Sequence, residues 1–217
     1  MGKIVIFGAG GRAGRAAVAE ARRRGHVVTA VVRDPARHDL SGDASFGDAV
    51  STVAGDVTDV DSVARVAHGH DAAISAVYDP AASPDAFFTG AARALLDGLP
   101  RAGVDRLLVV GLASVLADAD GVPLMDTPGY PQEYRPFCLA HAAGAEVLRA
   151  SAGGPDWLIV SPAGDFDHSG PRGGRYRIAP ATVDSRISYA DLAVALLDEI
   201  ETPKHHRTHI GVEGVTP

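Results

Sequence analysis

The sequence predicts an α/β fold: a doubly wound parallel sheet, covered by helices on both faces, in a single domain. Three observations carry that prediction. Short apolar runs alternate with helical stretches along almost all of the 217 residues. The runs are continuously apolar rather than alternating, as strands buried on both faces must be. The first run, Lys3-Ile4-Val5-Ile6-Phe7, ends in a glycine cluster, Gly8-Ala9-Gly10-Gly11-Arg12-Ala13-Gly14, that leads straight into an Ala-rich helical stretch.

Strands are expected at Lys3–Phe7, Val27–Val32, Ser51–Ala54, Ala72–Ala76, Arg106–Val110 and Trp157–Val160, each a short apolar run. Helices are expected at Arg12–Arg24, Val60–His68, Pro84–Leu99, about Phe137–Ala152 and Tyr189–Glu201, with a late strand at Thr208–Val212. Two long irregular stretches, 112–135 and 162–186, both follow strands. They therefore belong at the carboxyl edge of the sheet, where ligands bind in this architecture, and are read as substrate loops.

Composition narrows the classes of function. The chain is 46% hydrophobic and 22% charged, enough for one domain with a substantial core. A net charge of −7 gives no nucleic-acid footprint. Cys138 is the only cysteine, which excludes an internal disulfide and fits a reducing, cytoplasmic compartment. The chain enters its first strand at once, so no signal peptide is expected, and no apolar run has the length of a membrane span. A monomer is the default, with a dimer as the alternative.

A βαβ unit with glycines at its first turn is a Rossmann-type arrangement. Bare backbone there approaches a pyrophosphate, whose charge rests on N–H groups at the positive end of the helix. The competing reading is a tight turn with no ligand. An NAD site usually carries an acid at the end of the second strand, for the ribose 2′-hydroxyl. Here the strand ends Val31-Val32-Arg33-Asp34-Pro35. Arg33 stands at the acid's position and Arg12 lies in the glycine loop. Two guanidiniums near one ribose suit a 2′-phosphate, so NADP(H) is expected over NAD(H). Two alternatives stay open: Asp34 serves as the acid if the register slips by one, or Arg33 is a solvated surface residue. Asp56-Val57, after the third strand, reads as the pair flanking adenine or as a helix N-cap region, with Asp59 also available as the cap.

These residues, with Ala54-Gly55-Asp56-Val57-Thr58-Asp59, Ile74-Ser75-Ala76, Val109-Val110-Gly111-Leu112-Ala113-Ser114, His141 ahead of Val147-Leu148-Arg149-Ala150-Ser151, and Val160-Ser161-Pro162-Ala163, resemble the atypical short-chain dehydrogenases/reductases. The nearest set is the NAD(P)-binding, NmrA-like group that includes flavin reductase/biliverdin-IX-beta reductase. The resemblance covers nearly the whole chain. It implies a cofactor site of Gly8, Gly10, Gly11, Arg12, Ala13, Arg33, Asp56, Val57, Ala76, Val77, Gly111 and Pro162, with the nicotinamide near the ends of the fifth and sixth strands. Two departures stand out. Gly10 replaces a frequent Thr, and Gly164 stands where the flavin reductases have a histidine.

The Tyr-x-x-x-Lys pair of typical short-chain dehydrogenases is absent. The only lysines are Lys3 and Lys204, and Tyr134 is followed four residues on by Cys138. Redox chemistry then needs hydride positioning and another proton donor. Ser114, after the fifth strand, and His141, early in the next helix, are the catalytic candidates; the alternatives are a turn serine and a helix-surface histidine. Tyr130, Tyr134, Asp165 and Phe166 are candidate substrate contacts. Asp165-Phe166-Asp167-His168 reads as a proton-moving cluster or as a solvated loop, and His205-His206 as surface residues. Cys138 and His141 share a helix face but lack a third ligand, so no metal site is expected. Three functions compete: an NADPH-dependent reductase of a small conjugated molecule of quinone, flavin or enone type; a redox-neutral isomerase or dehydratase of secondary metabolism; and a non-enzymatic NADP-binding sensor.

Overall fold

A computed structural model describes residues 1–38, 40 and 50–215. Its strands are β1 (Lys3–Phe7), β2 (Val27–Val32), β3 (Val50–Ala54), β4 (Ala72–Ser75), β5 (Arg106–Val110), β6 (Asp156–Pro162), β7 (Asp165–Asp167), β8 (Tyr176–Ile178), β9 (Arg186–Ser188) and β10 (Thr208–Gly214). Its helices are α1 (Arg12–Arg23), α2 (Val60–Ala67), α3 (Pro84–Arg101), α4 (Arg135–Ala150) and α5 (Tyr189–Glu201). Eight strands form one sheet in the order β3-β2-β1-β4-β5-β6-β10-β8. All pairs are parallel except β10–β8. The Rossmann-type doubly wound fold read from the sequence is the fold observed.

The unbroken apolar runs are explained by burial on both faces. Ile4 and Ile6 of β1 pack with Val18 and Ala21 of α1 and Leu192 and Leu196 of α5. Val5 and Phe7, pointing the other way, pack with Val63 of α2, Leu95 and Leu99 of α3 and Leu148 of α4. Strand order reverses where β1 is flanked by β2 and β4, which opens a crevice at their carboxyl ends. Gly8 has φ of +75°, and a Cβ there would lie 2.3 Å from the Ala76 carbonyl oxygen. A Cβ at Gly14 would lie 2.1 Å from the Gly8 oxygen. Glycine at both positions lets α1 settle onto β1 and β4.

Several boundaries move. α4 begins at Arg135, two residues before the expected start, because Pro136 fits a first helical turn. α3 runs to Arg101, past the expected Leu99, with Pro100 inside its last turn. β6 extends to Pro162, where it still pairs with Val212 of β10. The stretch 162–186 is not irregular throughout. β7 and β9 form a two-stranded parallel ladder, and β8 adds an antiparallel edge to the main sheet. Its middle is anchored far from the cleft: Arg172 pairs with Glu20 of α1 at 2.9 Å, and the Gly173 and Gly174 amides donate to the Asp191 carboxylate of α5. The stretch 112–135 holds single 3-10 turns at Ala113–Val115, Leu124–Asp126 and Gln132–Tyr134. Among the described residues, no helix is long and apolar enough to cross a membrane.

Candidate functional site

A cleft of about 530 Å³ runs along the carboxyl edge of the sheet, from the ends of β2 and β3 past the glycine loop to the end of β5. Gly8, Gly10, Gly11, Arg12, Ala13, Arg33, Asp56, Val57, Ala76, Val77 and Gly111 all line it. Of the twelve expected cofactor residues only Pro162 does not; it is buried in the β6–β10 ladder.

The glycine loop is built to receive an anion. The first turn of α1 contains no acidic residue, and its N-cap, Gly11, makes no side-chain cap hydrogen bond. The amides of that turn face the cleft with the positive end of the helix dipole behind them. A Cβ at Gly11 would meet only the Gly8 oxygen, at 3.5 Å, so the space above it is open. Gly8 and Gly14 are closed by protein, whereas Gly11 is bare toward the cleft. These residues fit a dinucleotide pyrophosphate.

At the adenosine end, local hydrogen bonding separates the alternatives. Asp34 turns into its own loop: its carboxylate accepts the Ala36 amide at 3.0 Å and pairs with Arg37 at 3.3 Å. Asp34 does not line the cleft, and Arg33 does. Arg33 is held there by an ion pair with Asp79. His38 also lines this end, close against Gly10. The α2 N-cap is Asp59, which accepts the Asp61 amide, so Asp56 and Val57 stay on the cleft wall. Asp56 closes its own turn by accepting the Thr58 amide at 2.8 Å.

The opposite end is walled by aromatic rings. Among the described residues, six aromatics line this one cleft: Phe7, Tyr78, Phe87, Phe137, Phe166 and Tyr189. Tyr78 packs edge-on against Phe137 with centroids 5.3 Å apart. Across the cleft Phe166 stacks on Tyr189 at 4.1 Å with the rings 15° from parallel. His141 stands between the aromatic wall and the cleft, 3.7 Å from Phe88 and 5.0 Å from Phe137. Burial pushes its pKa down to about 4. At neutral pH it is an uncharged imidazole, able to donate one hydrogen bond but not to act as a cationic acid. Behind it lies an apolar cavity of about 50 Å³ lined by Phe88, Leu95, Leu148 and Ile159.

Ser114, Tyr130, Tyr134 and Asp165 lie off the cleft. Ser114 is 4% exposed, because the turn that carries it folds inward toward Tyr130. Tyr130 packs into a small cluster there, with its hydroxyl 3.7 Å from Cys138 Sγ. Burial, reinforced by Cys138, pushes the Tyr130 pKa up to about 12. Tyr134 is exposed, and Asp165 accepts the Phe166 amide. His205 and His206 sit at the amino edge of the sheet, paired with Glu199 and Asp156. Sequence reasoning missed Tyr78, Phe87, Phe137 and Tyr189. Tyr78 follows the end of β4 by three residues, a positional signal; Phe87, Phe137 and Tyr189 lie on helices, where an aromatic reads as core.

The comparisons agree with this geometry. A family model described as NAD(P)H-binding matches residues 8–203. The protein YwnB of Bacillus subtilis is 36% identical over 212 residues, covering 94% of each chain. A solved structure from Burkholderia pseudomallei, provisionally described as an exported protein, is 36% identical with a TM-score of 0.84 over 99% of this chain and 100% of its own. One from Streptococcus pneumoniae, provisionally described as an NADH-flavin reductase, is 33% identical with a TM-score of 0.81 over 99% and 100%. The resemblance to atypical short-chain dehydrogenases/reductases is borne out, and this chain belongs to the NAD(P)H-binding family.

Proposed function

We propose that the protein is an NADPH-dependent oxidoreductase that reduces a small, flat, conjugated molecule of quinone, flavin or enone type. The observation that carries this reading is the continuity of one cleft. An uncapped helix end and Arg33 lie toward one end, and a slot between aromatic walls lies at the other. A nicotinamide bound there supplies a hydride. The protein's own part is placement: first-turn amides toward the pyrophosphate, Arg33 toward a 2′-phosphate, and Phe137, His141, Phe166 and Tyr189 around a planar substrate, with water excluded. Ring stacking selects planar molecules and adds about 0.5–1.5 kcal/mol per pair beyond area burial.

Gly164 sharpens the substrate class. A Cβ there would lie 2.3 Å from the Ser185 oxygen and 2.4 Å from the Thr182 oxygen. No histidine fits, so a flavin here relies on the aromatic walls alone. The open volume of the cleft favours an enzyme over a sensor, whose corresponding space would be filled. A reducing, cytoplasmic setting belongs to the same reading and suits a buried, unpaired Cys138.

The test is a screen of quinones, flavins and enones for substrate-dependent loss of NADPH absorbance. Turnover of at least one quinone or enone is expected. Absence of turnover across the panel, in a protein that binds NADPH, overturns the reductase reading and favours a redox-neutral enzyme or a sensor.

A further inference from the structure

The structure assigns Tyr189 as the proton donor to the substrate and His168 as the residue that positions and recharges it, an inference that rests on the reductase reading above. Tyr189 is the first residue of α5 and lines the cleft with Phe166, on its aromatic wall. Its hydroxyl contacts His168 Nδ1 at 3.1 Å. Arg12 Nη1 donates to the same nitrogen at 2.9 Å. A nitrogen that accepts from a guanidinium carries no proton, so the imidazole hydrogen sits on Nε2 and the Tyr189 hydroxyl keeps its own proton, which turns from Nδ1 to the oxygen of a bound substrate. Phe166, stacked on Tyr189, fixes the plane of the phenol. Tyr189 is half-buried and His168 is exposed, so the pair connects the cleft with bulk water.

Among the described residues, no other one lining the cleft pairs a phenol with an imidazole open to solvent; His38 lies at the adenosine end. His141 is neutral and embedded in the aromatic wall, Tyr78 is exposed at the rim, and Ser114 and Tyr130 lie off the cleft. The step balances as follows. When a hydride reaches the substrate carbon, the π pair of the conjugated carbonyl moves to its oxygen. That oxygen takes the proton of Tyr189 Oη. The pair left by the broken O–H bond stays on Oη, next to the Arg12 guanidinium. Arg12 then releases Nδ1, which takes a proton from a water molecule, leaving hydroxide in bulk solvent, and passes that proton to Oη. The net change is addition of one hydride and one proton from water. The Tyr-x-x-x-Lys pair that the sequence lacks is thus replaced by a tyrosine, an arginine and a histidine from three separate segments.

Three variants of the full-length protein test this with a panel of quinones and enones: Tyr189→Phe, His168→Ala and Tyr189→Phe/His168→Ala. General-acid help is typically 10²–10⁴-fold. Tyr189→Phe should lower kcat about 100-fold and leave NADPH affinity within about threefold. His168→Ala should lose less, and millimolar imidazole should restore part of it. The double variant should be no worse than Tyr189→Phe and should not respond to imidazole. A readout independent of turnover is the ¹⁵N spectrum of histidine-labelled free protein, with His168 assigned by its loss in His168→Ala. Nδ1 should resonate as an unprotonated nitrogen and move in Tyr189→Phe. A protonated Nδ1, or Tyr189→Phe within twofold of the wild-type kcat, overturns the assignment while the reductase reading stands. Wild-type protein that turns over no member of the panel defeats that reading, and this inference with it.

Discussion

Gly11 and Arg33 show how much one residue decides when a charged ligand meets bare backbone. Gly11 has an ordinary φ of −77° and room for a Cβ, so nothing in the fold requires glycine there. A cofactor does. Gly11→Val should fold with nearly unchanged thermal stability and lose measurable NADPH binding by calorimetric titration; unchanged affinity removes the loop from the cofactor site. Arg33 carries the choice of cofactor. A charge-assisted hydrogen bond contributes about 1.5–3 kcal/mol, roughly ten- to a hundredfold in affinity. Arg33→Ala should weaken NADPH by that factor and NADH far less. In the free protein Asp79 already occupies Arg33, so Asp79→Asn should tighten NADPH. Equal weakening of both cofactors by Arg33→Ala contradicts the assignment.

At the scale of elements, local pattern and tertiary packing divide what could be read from the chain. β1, β2 and the centres of β4 and β5 declare themselves because strands buried on both faces need unbroken apolar runs. β7, β8 and β9 are three residues each, too short for a period, and exist because the chain between β6 and α5 is tied down elsewhere. One tie is Glu20, 3% exposed in α1, which binds Arg23, Arg24 and Arg172. Burial raises its pKa, but hydrogen bonds from Arg23, Arg172 and Arg24 outweigh that and hold the carboxyl far below the usual range. A depressed carboxyl pKa stabilises the fold above its unfolded value, near 4.3, and that stability is lost as pH falls further. Glu20→Gln should cost about 3 kcal/mol at pH 7 and much less at pH 3, read by urea unfolding at both pH values. A pH-independent cost contradicts the network.

Across the whole molecule, the cofactor half of the cleft was legible, whereas the substrate half was legible only at His141 and Phe166. Phosphate-binding residues follow their strands within a few positions, so Gly8 to Ala13, Arg33, Asp56 and Val57 could be placed by counting. The aromatic walls come from α3, α4, β7 and α5, and only packing brings them together. The same packing turned Ser114 inward and left Tyr189, read only as the start of a helix, on the cleft. It also desolvates His141 and His209, whose pKa values burial pushes down to about 4. Between about pH 6.5 and 4 the unfolded chain binds protons that these two folded sites refuse, so stability should fall with acid through that window. Tm measured from pH 7 to 4.5 should decline, and His141→Phe should flatten part of the decline; an unchanged slope contradicts the burial of that imidazole.

Calorimetric titration of the unmodified protein with NADPH and with NADH tests the central claim most directly. The geometry predicts one site per chain, with NADPH bound at least tenfold more tightly than NADH. Tighter binding of NADH, or no binding of either dinucleotide, would contradict it.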